Sequence, residues 1–293
     1  MKKRKRLLGI VPLLLVTYLG FPVVLQLFNK WGYNKKELEN MIIIGHRGGA
    51  SIGPENTLAC YKKGIEAGAD MIEIDIHLSK DGKIVICHDE SIDRTTNGKG
   101  LIRELTLHEI RQYRAVDVDG NLTDEKIPTL DEVFDLFLGI HANGNPCKLL
   151  IEIKRTNDIY QGIEELLLQK INSVNAKDWV VVQSFNDFAL EKIHQLDPTV
   201  RLEKLFFFKF PGLPIIMDWF HITRFSYEKY NYISSFNMNY RWLTTSFLND
   251  IHRHGKEVKV WTLEGTNVPH LDVDGIITNR PDLWSKQKHL CEY

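Results

Sequence analysis

The sequence predicts an α/β protein built as a (β/α)8 barrel of the TIM type. From Met41 onward, β-rich apolar runs alternate with stretches of helical period, and parallel βαβ units read this way. The alternation continues for about 250 residues, which matches one closed barrel in size. Charged and imidazole side chains also fall at the ends of the apolar runs, where a parallel barrel places its site.

The first strand is Met41 to Gly45, followed by an amphipathic helix from Glu55 to Ala67 with Leu58, Tyr61 and Ile65 at helical spacing. Met71 to Ile76 and Lys83 to Cys87 are strands joined across the turn Lys80-Asp81-Gly82, a connection too short to hold a helix. Lys148–Ile153, Trp179–Gln183, Arg201–Leu205, Tyr232–Phe236, Val258–Thr262 and Gly275–Thr278 complete nine candidate strands for eight places. Arg201–Leu205 or Tyr232–Phe236 is therefore expected to be peripheral. Helices fit at Leu130–Leu138, Ile159–Val174, Asp187–Leu196 and Thr244–Gly255.

Two stretches depart from the alternation. After the third strand, residues 91–127 are polar and rich in turns, too long for a plain barrel loop, and read as a small insertion that forms one wall of the cleft. Phe206 to Tyr227 is aromatic-rich, broken by proline and without period. It reads as an irregular loop packed on the barrel, or else as an apolar lip touching membrane or an acyl chain.

The organisation is then a basic N-terminus and membrane anchor at 1–29, a linker at 30–40, and the barrel at 41–290. MKKRKR precedes 22 uncharged, mostly apolar residues from Leu7 to Phe28, long enough to span a bilayer as one transmembrane helix. A cleaved signal peptide is the competing reading, but bulky residues stand where a cut site wants small ones. The excess of positive charge before the span keeps the N-terminus cytoplasmic and puts the barrel on the extracytoplasmic side; Trp31 and Tyr33 suit the interface.

With 293 residues, 43% of them hydrophobic and 26% charged, the chain has material for a large core. A net charge of -1 gives no basic excess with which to bind nucleic acid. Cys60, Cys87, Cys147 and Cys291 form no zinc-type spacing and no disulfide framework, and Cys87 reads as a small core residue.

Within the barrel, His46 and Arg47 end the first strand, Glu73 and Asp75 lie in the second, His88 ends the third, and Glu152 and Lys154 lie near the end of the fourth. Residues two apart on a strand share a face, so Glu73 and Asp75 point one way, as do Glu152 and Lys154. Three carboxylates converging inside a barrel call for compensation. A hard divalent cation, Mg²⁺ or Ca²⁺, supplies it better than zinc would; ion pairing with Lys154 and Arg47 is the alternative. His46 and His88 suit acid and base roles near neutral pH, and the Arg47 fork suits phosphate oxygens. His77 shares the face of Glu73 and Asp75 and reads as structural support.

GHRGGASIGPENT, GADMIEIDIHLSKDGKIVICHD with DRTTNG, LLIEIK, VVQSF, VKVWTLEG and GIITNRP together resemble the successive motifs of the glycerophosphodiester phosphodiesterases, over about Ile42 to Leu283. The resemblance implies a distorted barrel of the phospholipase C-like phosphodiesterase type, with an insertion after the third strand. It implies His46 and His88 as the catalytic acid and base, and Glu73, Asp75 and Glu152 as ligands of a divalent metal. It further implies Arg47 and Lys154 as phosphate contacts, Glu55 and Asn56 of PENT as supports of the site, and Trp261 as part of its lining, with Gln183 and Phe185 as looser transfers. The sequence departs at Asn279, where many relatives have aspartate; the departure touches no expected metal ligand.

The expected activity is hydrolysis of glycerophosphodiesters to sn-glycerol 3-phosphate and an alcohol. A lysophospholipase D acting on lysophospholipids is the runner-up, because an anchor would hold the site beside lipid. A non-catalytic, membrane-tethered phosphodiester-binding protein is a third reading, against which the full set of reactive residues argues.

Overall fold

The computed structural model describes residues 35–154, 159–210, 212–218, 222–266 and 272–290. The expected membrane span, Trp31 and Tyr33 lie outside them. Among the described residues no helix is long and apolar enough to cross a membrane.

Twelve strands form among these residues: β1 (Ile42–Gly45), β2 (Met71–Leu78), β3 (Ile84–Ile86), β4 (Lys148–Ile153), β5 (Val180–Ser184), β6 (Arg201–Phe206), β7 (Phe208–Lys209), β8 (Ile215–Met217), β9 (Ile222–Arg224), β10 (Ile233–Asn239), β11 (Glu257–Leu263) and β12 (Gly275–Thr278). The order β1-β12-β11-β10-β6-β5-β4-β2, with β1 also pairing to β2, closes eight parallel strands into a barrel. The register is continuous where the site will lie: Asp75 stands opposite Glu152, and Glu152 opposite Gln183.

The expectation that Arg201–Leu205 or Tyr232–Phe236 is peripheral is corrected, because both belong to barrel strands, β6 and β10. The odd strand is β3, which pairs antiparallel with the far half of β2. A parallel return needs a crossover of a dozen or more residues, and only five separate Leu78 from Ile84. A second correction concerns Phe206 to Tyr227, which is not an irregular loop. Its described residues contain β7, β8 and β9, a three-stranded antiparallel sheet, and Ile216 of β8 with Phe225 just after β9 joins the main core. Strands of two or three residues are too short to show a period.

The other elements follow from local chemistry. The helix expected from Glu55 begins only at Leu58, because Asn56 is left-handed (φ 55°) and the Thr57 hydroxyl caps the helix by accepting from Cys60 N. Thr129 and Glu132 form a reciprocal capping box that starts the Leu130–Ala142 helix. Residues 91–127 have a small core of their own, in which Ile92, Ile102, Ile110 and Ile127 pack on Val85 and Cys87.

Alternation along the strands divides two interiors. Ile72, Ile74, Ile76, Ile151 and Val182 face the surrounding helices in the main core. Ile44, Met71, Leu150, Val181 and Ile277 make an apolar layer inside the barrel. Beside it, Asn237 Nδ2 donates to Gln183 Oε1 (2.9 Å) and to Glu203 Oε2 (2.8 Å), and Glu203 pairs with the buried Lys259. Lys259 reaches on to Glu257, which pairs with Arg201 at the opposite mouth.

Candidate active site

The site grows from the turn that ends β1. His46–Gly48 forms one turn of 3-10 helix with Arg47 left-handed (φ 53°), so the backbone reverses while both side chains stay over the barrel mouth. Gly48 has φ 92°, and a Cβ there would come within 2.7 Å of the Tyr61 ring; only glycine fits this seat. Arg47 N donates to Glu73 Oε2 (2.8 Å), which ties the turn to β2.

Glu73, Asp75 and Glu152 each offer an oxygen within 4.8 Å of the others, and they are 1%, 0% and 6% exposed. Lys154 Nζ lies 2.9 Å from Asp75 and 2.9 Å from Glu152, and Arg47 Nε lies 3.7 Å from Asp75. Burial, with Asp75 and Glu152 alongside, pushes Glu73 well above the usual carboxylate range. Burial works the same way on Asp75, yet Lys154, His88 and Arg47 overcome it and hold that group low. Lys154 also opposes burial, and its three carboxylate neighbours keep it charged.

Ionised together, three carboxylates around two cations would leave an excess of negative charge in a dry place, which is the cost that raises Glu73. The donors are all hard oxygens, and Asp75 Oδ1 has no aligned hydrogen-bond donor. This donor set fits a divalent metal ion. Asn56 Nδ2 donates to Asp75 Oδ2 (2.8 Å) while Tyr61 OH donates to Asn56 Oδ1 (3.2 Å), so the cluster is oriented from behind.

His46 and His88 face the same cavity of about 850 Å³, together with His77, Arg47, Lys154, Gln183, Phe185 and Trp261. The Nδ1 of His46 is bonded to Asn279 Oδ1 (2.7 Å). Burial and the neighbouring Arg47 lower His46 to about 3, so it is a neutral imidazole at pH 7. His88 Nδ1 lies 2.7 Å from Asp89 Oδ1. Arg94, from the insertion, donates to Asp89 Oδ2 (2.6 Å) and with both terminal nitrogens to Glu55, which also pairs with Arg47 (3.0 Å). Glu55 thus supports the Arg47 fork. His77 stands apart from this chemistry: Nδ1 meets Tyr160 OH (2.9 Å) and Nε2 the His88 carbonyl (3.3 Å), tying down the strand ends.

Residues 46–283 match the glycerophosphoryl diester phosphodiesterase family. The chain belongs to this family. It is 34% identical over 247 residues to a glycerophosphodiester phosphodiesterase of Caldanaerobacter subterraneus, covering 82% of this chain and 95% of that one. A Bacillus subtilis glycerophosphodiester phosphodiesterase is 33% identical over 270 residues, with coverage of 85% and 87%. Among solved structures, an Oleispira antarctica phosphodiesterase in complex with the product sn-glycerol-3-phosphate superposes with a TM-score of 0.66 at 24% identity, covering 86% of this chain and 96% of that one.

In this glycerophosphoryl diester phosphodiesterase, seven of the ten residues singled out from the sequence line the cleft, His46, His88, Glu73, Glu152, Arg47, Lys154 and Trp261, and the other three stand against them, Asp75 and Glu55 beside Arg47 and Asn56 behind Asp75. Asp89 and Arg94 go unnoticed in the sequence as parts of the site, and the departure at Asn279 leaves its cleft-edge role in doubt there. The signals were present: Asp89 follows His88 directly, Arg94 sits in DRTTNG, and Asn279 marks a departure from the family pattern. Phe207, Asp218 and Thr223 also line the cavity and come from the stretch that shows no period.

Proposed function

We propose that this enzyme hydrolyses glycerophosphodiesters to sn-glycerol 3-phosphate and an alcohol, with a divalent metal held by Glu73, Asp75 and Glu152. The observation that carries the reading is the placement of two histidines and two cations around a buried, all-oxygen carboxylate cluster in one cleft. The names of the relatives and the product bound to the Oleispira protein support the same substrate class.

A metal ion bound there supplies Lewis-acid stabilisation of the phosphoryl oxygens. Arg47 and Lys154 add fixed positive charge against the diester, where it strengthens most as charge develops. His46, neutral and with Nδ1 engaged, takes the proton from the attacking oxygen. His88, braced by Asp89, gives a proton to the leaving alkoxide, and the P–O bond to the alcohol breaks. The Trp261 ring lines the cavity, where it can pack against the substrate.

A second reading, lysophospholipase D, draws on the apolar side of the cavity: Phe185, Leu205, Phe207, Trp261 and Ile277 form a wall able to take an acyl chain. Turnover of glycerophosphocholine and lysophosphatidylcholine, each with Mg²⁺ and with Ca²⁺, separates the two. Turnover of neither with either metal refutes both. We also propose that residues 7–28 anchor the enzyme with its barrel on the extracytoplasmic side; protease added to intact cells should then remove the barrel.

A further inference from the structure

We propose that Asn279 is a positioning residue for proton transfer, fixing His46 as the tautomer that carries its proton on Nδ1 and keeps the lone pair on Nε2. The inference rests on the reading of His46 as a base. His46 ends β1 and Asn279 follows β12, and the parallel register Gly45 to Thr278 brings these strand ends side by side. The Asn279 side chain spans two partners: Oδ1 meets His46 Nδ1 at 2.7 Å, and Nδ2 donates to Glu264 Oε1.

An amide can be turned either way round, and here Glu264 decides. A carboxylate accepts and cannot donate, so it selects the NH₂ end and leaves the oxygen for His46. An amide oxygen only accepts, so the His46 nitrogen facing it must be the one that carries hydrogen. The backbone reinforces the arrangement, because Ser51 N donates to Asn279 O (3.2 Å) and Arg280 N to Thr278 Oγ1 (3.0 Å). Without the amide, the Nδ1–H tautomer loses its partner and the proton can settle on Nε2, where the imidazole accepts nothing from the attacking oxygen. Asn279 touches neither the proposed metal ligands nor the cations; its effect passes through His46 alone.

The test uses the full chain with ¹⁵N-labelled histidine, and Asn279→Ala and Asn279→Asp beside wild type. The wild type should show His46 with a pyrrole-type Nδ1 and a pyridine-type Nε2. In Asn279→Ala the pattern should shift toward the opposite tautomer, with kcat reduced on the order of 10- to 100-fold and KM nearly unchanged. Asn279→Asp, made together with Glu264→Gln so that an amide rather than a second carboxylate faces the new group, keeps an acceptor at the same place. It should retain the wild-type tautomer, recover kcat to within several-fold, and move the acidic limb of the kcat/KM profile to higher pH. Unchanged spectra and kcat in Asn279→Ala overturn the proposal; if that variant does not fold, a kcat/KM profile for the aspartate variant with its acidic limb where the wild type has it does so. An active His46→Ala enzyme would instead remove the base reading, while the spectra still report on the hydrogen bond.

Discussion

Replacing Lys154 with methionine keeps most of the side-chain volume and removes one charge. That charge lies 2.9 Å from both Asp75 and Glu152, with the Lys154 side chain only 15% exposed. Deleting one partner of a buried pair leaves an uncompensated charge and costs about 3–5 kcal/mol. For a barrel of this size, each kcal/mol moves Tm by about 2–4 °C, so the metal-free variant should melt about 6–20 °C lower. Part of the loss should return on adding divalent cation, because a metal held by the same carboxylates stabilises the folded state by mass action. Calorimetry of both proteins, with chelator and then with Mg²⁺ or Ca²⁺, gives the melting temperatures. A variant that melts with wild type in chelator refutes the claim that Lys154 compensates the cluster. Gains of zero in both proteins from Mg²⁺ and again from Ca²⁺ refute the cluster as a metal site.

His88→Ala should abolish turnover while circular dichroism stays that of the wild type, and an active, folded variant would end its role as proton donor. Chelation should remove activity and either Mg²⁺ or Ca²⁺ restore it, as read by release of glycerol phosphate. Gly64→Ala places a Cβ 2.1 Å from the Gly48 carbonyl oxygen, so the helix must move off the catalytic turn; a loss of about 1–3 kcal/mol in urea titration is expected. The pH dependence of stability carries the His46 signature. Its folded value near 3 lies below the ordinary 6.5, so the unfolded chain binds the extra proton and stability falls as pH drops from 6.5 toward 3. The slope difference between wild type and His46→Ala should be at most about 1.4 kcal/mol per pH unit in that window, and parallel curves would contradict it.

Glu73, Asp75 and His77 share a face by simple alternation, and Glu152 with Lys154 repeats the pattern on β4, so the carboxylate cluster was readable from spacing. Register supplied what spacing lacked: Asp75 opposite Glu152 is a property of two strands separated by an insertion. The His46–Asn279 bond joins residues 233 positions apart, and no local pattern announces it. Arg94 looked like part of a polar insertion because its partners, Asp89 and Glu55, lie on separate segments. The nine candidates match the nine strands of the main sheet, but the outlier is a different one, since β3 has the composition of a barrel strand and only its short connection betrays an antiparallel return. β7 to β9 were beyond reach, being held by pairing between short segments rather than by their own periodicity.

The polar column inside the barrel has an effect at the substrate's end. Glu203, held by Lys259, accepts from the Asn237 amide nitrogen, and Ser235 Oγ donates to the Asn237 oxygen (2.8 Å). Asn237 can therefore show Gln183 only hydrogen, and Gln183 must answer with its oxygen. The Gln183 amide nitrogen is left for the cleft, a donor in a place where phosphate and hydroxyl oxygens would arrive. Removing the negative charge of Glu203, deep in the barrel and away from the reaction, would free both amides to turn over and let Gln183 offer an acceptor instead.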